Sequence, residues 1–212
     1  MDVIRHEIVG DRVIHGEGTR LEEWRSCQIL QQMSEFDIPK VIPPDARVCI
    51  IAPHPDDEIL GCGGLIQRLD KLGYQIVLFA VTNGTASHPG SSLYTPEELN
   101  QIRPAETRTA LEALPLKQNI LRIALDIQDG KVAEQRDVLQ QHLQSYLQPN
   151  DVLISTFVHD GHPDHEITGQ VTQQLATELH LPCIQVLIWA WHWATPGDTR
   201  IPWTVAHQLK LT

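Results

Sequence analysis

Apolar positions along the chain follow two periods. From Arg47 onward, short continuous apolar runs recur, and after each comes a stretch whose apolar residues fall three or four apart. A compact run bounded by turn residues reads as a buried strand, and the three-four spacing reads as one face of a helix. Strands are therefore expected over residues 47–52, 75–82, 120–123, 151–157 and 184–193. Helices are expected over about 58–72, 95–114, 133–147 and 165–179. Leu65, Ile66, Leu69 and Leu72 should face inward on the first, and Val138, Leu139, Leu143, Tyr146 and Leu147 on the third. Gly73 suits a helix C-terminus. Thr95-Pro96-Glu97-Glu98 is a capping box with proline at the first helical position. Pro104 disfavours helical geometry at Arg103, so that helix is expected to break and resume. Alternating strands and helices imply an α/β fold: a Rossmann-like, mostly parallel sheet with helices on both faces.

Residues 1–46 do not share this rhythm. Segments 4–9 and 12–15 flank Gly10-Asp11, a hairpin-like turn. Thr19-Arg20-Leu21-Glu22 fits a capping box opening a helix to about Met33, with Leu21, Trp24, Cys27, Leu30 and Met33 as its apolar stripe. Pro39, Pro43 and Pro44 then act as a spacer. The expected organisation is an N-terminal arm, residues 1–46, packed on a core domain over residues 47–212. A chain of 212 residues is large enough to bury one substantial core.

Charge narrows the partners. The net charge is −11 and no lysine or arginine cluster interrupts it, so a nucleic-acid backbone would be repelled. The four cysteines form no C-x-x-C pair, and Cys49 and Cys183 lie in apolar runs as small hydrophobes. Residues 1–10 lack a signal-peptide core, and no run reaches the ~18 apolar residues of a transmembrane segment. A cytoplasmic, reduced protein is the expectation.

Two clusters carry the chemistry. His54-Pro55-Asp56-Asp57-Glu58 follows the 47–52 run, and His162-Pro163-Asp164-His165 follows the 151–157 run. Open α/β sheets bind ligands outside the carboxyl ends of their strands. Histidine with carboxylate suits a borderline-soft divalent cation, zinc foremost. On spacing alone, His54 with Asp56 or Asp57, and His162 or His165, could supply three ligands. The unused acid would take a proton from the metal-bound water, and the unused histidine would stabilise or protonate the tetrahedral intermediate. Metal-assisted hydrolysis of an amide or ester is the implied reaction class. The competing reading makes Asp56 and Asp164 simple helix N-caps.

These clusters, with Thr82-Asn83-Gly84, Arg103-x-x-Glu106, Asp129-Gly130 and Trp189-Ala190-Trp191-His192-Trp193, resemble the LmbE-like (PIG-L) zinc N-deacetylases. The resemblance runs from about Gly16. It implies a Rossmann-like fold and removal of the N-acetyl (N-acyl) group from an amino sugar of N-acetylglucosamine type or its conjugate. It implies that His54, Asp57 and His165 bind Zn2+, without distinguishing another divalent metal. It implies Asp56 as general base and His162 as the group polarising the carbonyl or assisting the amine, with Asp164 setting the orientation and pKa of His162. Arg103 and Asp129 would contact the substrate, a small N-acetylated sugar or glycoconjugate. The alternatives are a zinc amidase acting on another small conjugate and a non-catalytic metal- or ligand-binding protein of the same fold. Asp160 stands where some relatives carry tyrosine, and Thr85 and Gln185 where many carry glutamate; these departures bear on substrate identity.

Four of the five tryptophans fall in residues 189–203. On an extended strand Trp189, Trp191 and Trp193 would share one face and His192 the other, lining the cleft as a substrate contact. The tryptophans would then form a platform for a sugar ring or, as favoured, pack on the arm or at a subunit interface. The latter case would give a homo-oligomer through this region. His88 falls in a long polar loop of the kind that forms lids.

Overall fold

The computed structural model describes residues 8–9 and 11–211. An antiparallel ribbon of β1 (Ile8–Val9) and β2 (Arg12–Val13) comes first, with Ile8 opposite Val13. This is the expected hairpin; residues 4–7 and Gly10 lie outside the described ones. Then come α1 (Leu21–Arg25), α2 (Gln28–Gln32) and α3 (Ile38–Val41). The core alternates β3 (Arg47–Ala52), α4 (Asp57–Leu60), α5 (Gly63–Leu72), β4 (Gln75–Ala80), α6 (Pro96–Ala113), β5 (Leu121–Ala124), α7 (Arg136–Tyr146), β6 (Asp151–Thr156), α8 (Pro163–Leu179), β7 (Cys183–Val186) and α9 (Ala190–Trp193).

Strands β5-β4-β3-β6-β7 form a parallel sheet in that order. Its centre is dry on both faces, as parallel sheets require. Val48, Ile50, Ile76, Leu78, Val152 and Ile154 pack with Leu65, Ile66 and Leu69 of α5. Their neighbours Cys49, Ile51, Val77, Phe79 and Leu153 pack with Leu139 and Leu143 of α7 and Val171 and Leu175 of α8. Each fully buried leucine or isoleucine in these layers contributes about 1.5–3 kcal/mol. At the opposite end from the histidine clusters, Arg47 holds Asp151 with two hydrogen bonds of 2.8 and 2.7 Å, fixing β3 against β6. The chain runs outward from β3 to β4 on one side and from β6 to β7 on the other. The crevice at this reversal, outside the carboxyl ends of β3 and β6, is where both clusters emerge.

Local expectations fail where tertiary contacts intervene. The 58–72 helix is split at Gly61-Cys62, because there the chain crosses close to β7: a Cβ on Gly61 would lie 2.8 Å from Val186 Cγ2. Helix α6 runs unbroken through the buried Pro104. Proline removes a single intrahelical hydrogen bond, and Arg103 is anchored in helical geometry by Pro55 and Asp56. The 133–147 helix opens with a 3-10 turn; Val138 is exposed, while Leu139 and Leu143 are buried, Leu147 packs at the edge of the same layer and the half-exposed Tyr146 keeps its ring 5.7 Å from that of Phe79. Thr19 is not a cap: its hydroxyl donates to the Ala194 carbonyl at 2.5 Å, and helix α1 starts one residue later than expected and ends at Arg25.

The largest correction is the last strand. Strand β7 stops at Val186 and the chain turns into α9, so the alternation expected for Trp189 to Trp193 does not hold. The backbone N–H groups of Ile188, Trp189 and Ala190 donate to the Asp160 carboxylate at 3.0, 3.0 and 3.1 Å instead of to a neighbouring strand. Trp24 packs edge-on to Trp191 with centroids 5.0 Å apart and donates to the Trp191 carbonyl at 2.9 Å. The Trp203 ring lies tilted to that of Trp24, with centroids 6.2 Å apart. These rings join the first segment to the last, while Ile38, Ile42 and Ala46 extend the layer beneath β3.

Candidate metal centre

Both clusters sit on turns that the sheet positions. Beyond β3, Ala52 and Pro53 carbonyls still accept from Val81 and Thr82. The chain then reverses through Asp56, whose φ of +123° is far outside the usual range for a residue with a side chain. Such a conformation costs on the order of 1–3 kcal/mol and persists only where surrounding structure holds it. Asp57 opens α4 and its carboxylate accepts the His54 backbone N–H at 2.9 Å. Beyond β6, His162 is the N-cap of α8 and Pro163 its first residue, so the helix starts two residues earlier than expected. Asp164 and the buried His165 therefore lie in its first turn.

Three atoms from the two clusters form a tight triangle. His54 Nδ1 lies 3.1 Å from His165 Nε2 and 3.3 Å from Asp57 Oδ2, and His165 Nε2 lies 3.2 Å from Asp57 Oδ2. A tetrahedral cation with ligand bonds of about 2.0–2.1 Å spaces its ligands about 3.3–3.4 Å apart. The remaining ring nitrogens are held by carboxylates. His54 Nε2 lies 3.1 Å from Asp129 Oδ1 and 3.4 Å from Asp164 Oδ2; His165 Nδ1 lies 2.8 Å from Asp160 Oδ2. Histidines that bind metals are ordinarily oriented by such outer carboxylates. Two wider groups also place ligand atoms within 4.8 Å of one another: His54 with His162 and His165, and His54 with Asp129 and Asp164. In the second, both acids already accept backbone N–H groups, Asp129 from Ala86 at 2.7 Å and Asp164 from Gly130 at 2.8 Å. The cluster can hold a divalent metal, and its donor set of imidazole and carboxylate suits one.

Charge in the cluster is strongly redistributed. Burial disfavours charge on His54, but hydrogen bonds to Asp129, Asp164 and Asp57 outweigh it and carry its pKa well above 6.5. His165 is likewise opposed by burial, yet the Asp57 charge and the Asp160 hydrogen bond raise it to about 9. Asp57, despite burial, is held far below the usual carboxylate range by the two histidines. His162 falls to about 3 through burial and the charges of His54 and His165. Asp56 is raised by burial and by Asp57 against the pull of Arg103. Its side chain is still 55% exposed at the cleft mouth, which tempers the effect.

A pH dependence follows. A group whose folded pKa is raised stabilises the fold fully below its unfolded pKa, and that stabilisation is lost as pH rises through the folded value. For His165 the window is 6.5 to about 9. A metal must displace that proton, so its apparent affinity is expected to climb across the same window, by about tenfold per pH unit for each proton released. Isothermal titration in buffers of different ionisation enthalpy measures the proton release; an affinity flat from pH 6.5 to 9 would contradict these protonation states.

The other residues named from sequence divide. Arg103 Nη2 donates to the Pro55 carbonyl at 2.5 Å and to Asp56 Oδ2 at 2.9 Å, so in this structure it steadies Asp56. A cavity of about 440 Å³ opens beside these two residues, with His88 and Tyr94 of the long loop on its wall. Asp129, expected to meet substrate, has one oxygen on His54 and the other on Ala86. The Asp164 carboxylate accepts from Gly130 and Val132 and approaches His54, and its charge raises the pKa of His162 against the stronger lowering by burial, His54 and His165. What His162 receives from this residue is the backbone N–H, on Nδ1 at 3.2 Å. His192 does not line the cleft by strand alternation: its ring packs on Gly18 and Trp189, and its buried Nε2 lacks a hydrogen-bond partner among the described residues. Asp160 was visible in sequence as a departure, but its place beneath His165 was not. Gln185 accepts from the Val158 N–H at 3.4 Å.

Fold and cluster together define an α/β protein with a histidine-carboxylate centre at the switch point of a parallel sheet. Residues 49–176 match the PIG-L (GlcNAc-PI de-N-acetylase) family, and the chain belongs to it. It is 30% identical over 127 residues to the diacetylchitobiose deacetylase of Thermococcus kodakarensis, covering 58% of this chain and 46% of that protein. It is 28% identical over 141 residues to a probable N-acetyl-alpha-D-glucosaminyl L-malate deacetylase 2 of Bacillus cereus, covering 64% and 63%. The chain thus spans less than two thirds of the length of either relative. Its fold is that of the N,N'-diacetylchitobiose deacetylase from Pyrococcus horikoshii, with a TM-score of 0.53 and 24% identity over 77% of this chain and 61% of that one. No helix among the described residues is long and apolar enough to cross a membrane.

Proposed function

We propose that this protein is a zinc-dependent N-deacetylase that hydrolyses the acetamido group of an amino sugar or its conjugate. The observation that carries the reading is the triangle of His54 Nδ1, Asp57 Oδ2 and His165 Nε2, with edges of 3.1 to 3.3 Å. These three residues would hold the ion. A bound Zn2+ supplies Lewis acidity and lowers the pKa of a coordinated water towards about 7.

The chain's own residues do the rest. Asp56, fixed by Arg103 at the mouth of the cleft, accepts the proton of the attacking water and returns it to the departing nitrogen as the C–N bond breaks. Its raised pKa, set by burial and by Asp57, brings it closer to the working range of a general base. His162 accepts the Asp164 N–H on Nδ1, and this assigns its own proton to Nε2. That Nε2–H is available to donate to the carbonyl oxygen as negative charge develops there. Asp129, Asp164 and Asp160 keep the two ligand rings in place. The relatives named as deacetylases of N-acetylated sugars support this substrate class.

The test is a panel of N-acetylglucosamine derivatives and N-acetylated disaccharides assayed for freed primary amine and acetate. Equimolar release of both, abolished by a chelator and restored by Zn2+, is expected. No release from any N-acetylated sugar by the metal-loaded protein would overturn the reading.

A further inference from the structure

From the contacts around the second cluster, we infer that the arm segment Arg12–Trp24 is a positioning element of the metal centre, acting through Arg12 and Ile14 on the turn and first helical turn that carry His165. This rests on the metal-centre reading above. Arg12 grips Glu166, the residue next to His165, with Nε on Oε1 at 3.0 Å and Nη2 on Oε2 at 3.1 Å. Both side chains are largely buried, 17% and 8% exposed, so this forked pair is screened far less than a surface ion pair. Glu166 Oε1 also accepts the Gly161 N–H at 3.0 Å, which ties the start of the cluster to the helix that holds it.

Gly161 is itself wedged. Its φ is +98°, and a Cβ there would meet Trp193 Cδ1 at 2.9 Å and Ile14 Cγ2 at 3.0 Å. One wall of that slot is the arm and the other is α9. The arm in turn holds α9: Thr19 N–H donates to the His192 carbonyl at 2.9 Å, its hydroxyl to Ala194, and Trp24 Nε1 to Trp191. Helix α9 closes the circuit through Trp193 Nε1, which donates to the Asp160 carbonyl at 2.7 Å. The Asp160 carboxylate binds His165 Nδ1 and the three amides that lead into α9. The segment from Asp160 to Glu166, a turn and the first turn of α8, is therefore clamped from outside by residues distant in sequence. By contrast, His54 and Asp57 are fixed by their own turn and by Asp129 and Asp164.

The experiment titrates the full chain, stripped of metal, with Co2+ and follows the d–d absorption, beside thermal unfolding without metal. Arg12→Met is expected to weaken Co2+ about tenfold, the low end for loss of an outer-shell partner, and to change the band shape. Ile14→Ala, which opens the slot over Gly161, should weaken it severalfold. Lys40→Met, which removes an exposed ion pair with Asp37 elsewhere in residues 1–46, should leave both unchanged. A lowered melting temperature in Arg12→Met and Ile14→Ala with wild-type Co2+ affinity and spectrum would reduce the clamp to a structural pin and overturn the inference. Should Arg12→Met not fold, Ile14→Ala alone decides by the same reading. Failure of the wild-type chain to bind Co2+ would instead remove the metal centre on which the inference stands.

Discussion

Replacing Asp56 by asparagine is expected to lower acetate release by about 10²–10⁴-fold while metal content stays at the wild-type level, which corresponds to roughly 3–5 kcal/mol of barrier. Asparagine keeps the shape of the side chain and is among the few residues tolerated at positive φ, so the turn at Asp56, with φ +123°, should survive. It can still accept a hydrogen bond from Arg103 but cannot take a proton. Structure and proton transfer are thereby separated. Steady-state release of amine, with metal content measured on the same preparation, checks the prediction. Undiminished turnover would remove Asp56 from the mechanism, and loss of metal would mean that it belongs to the ligand set.

His165→Ala is expected to lose the metal, by at least about the 10–100-fold that disturbing even an outer-shell partner costs. The position is the most demanding in the cluster, since His165 is only 1% exposed and stands between Asp57 and Asp160. Its removal leaves two buried carboxylates without their shared partner, and breaking a buried charge pair costs roughly 3–5 kcal/mol. The metal-free variant should therefore also unfold at lower temperature. Metal analysis after dialysis against a defined free Zn2+ concentration measures the first effect. Full occupancy in a folded variant would shift the binding site to the group formed by His54, Asp129 and Asp164.

Much of this arrangement is legible in the sequence, for a local reason. Strands β3 and β6 are built on short apolar runs, Val48 to Ala52 and Val152 to Ile154, each followed within a few residues by a cluster, so the sheet's carboxyl edge can be read from the chain itself. The Thr95 capping box is equally local: its hydroxyl accepts the Glu98 N–H at 3.2 Å, and the Glu98 carboxylate accepts the Thr95 N–H at 2.8 Å. What the chain does not disclose is set by distant partners. Asp160 looks like one more acid beside a histidine, yet it diverts three amides from a residue stretch whose composition suggests a strand. That diversion also moves His192 out of the place strand periodicity assigns it. The same holds for Pro104, whose local penalty yields to the anchorage of Arg103, and for Arg12, whose partner lies 154 positions away. Asp129 and Asp164 are recognisable as site residues, but their approach to His54 Nε2 is visible only in three dimensions.

The central claim is that His54, Asp57 and His165 together hold one divalent cation. Crystals of the wild-type chain grown with Zn2+, measured on both sides of the zinc absorption edge, test it most directly. A single strong anomalous peak about 2.0–2.2 Å from His54 Nδ1, an Asp57 oxygen and His165 Nε2 is the predicted result. A peak bound instead through His54 Nε2 to Asp129 and Asp164, or no peak in this crevice, would contradict it.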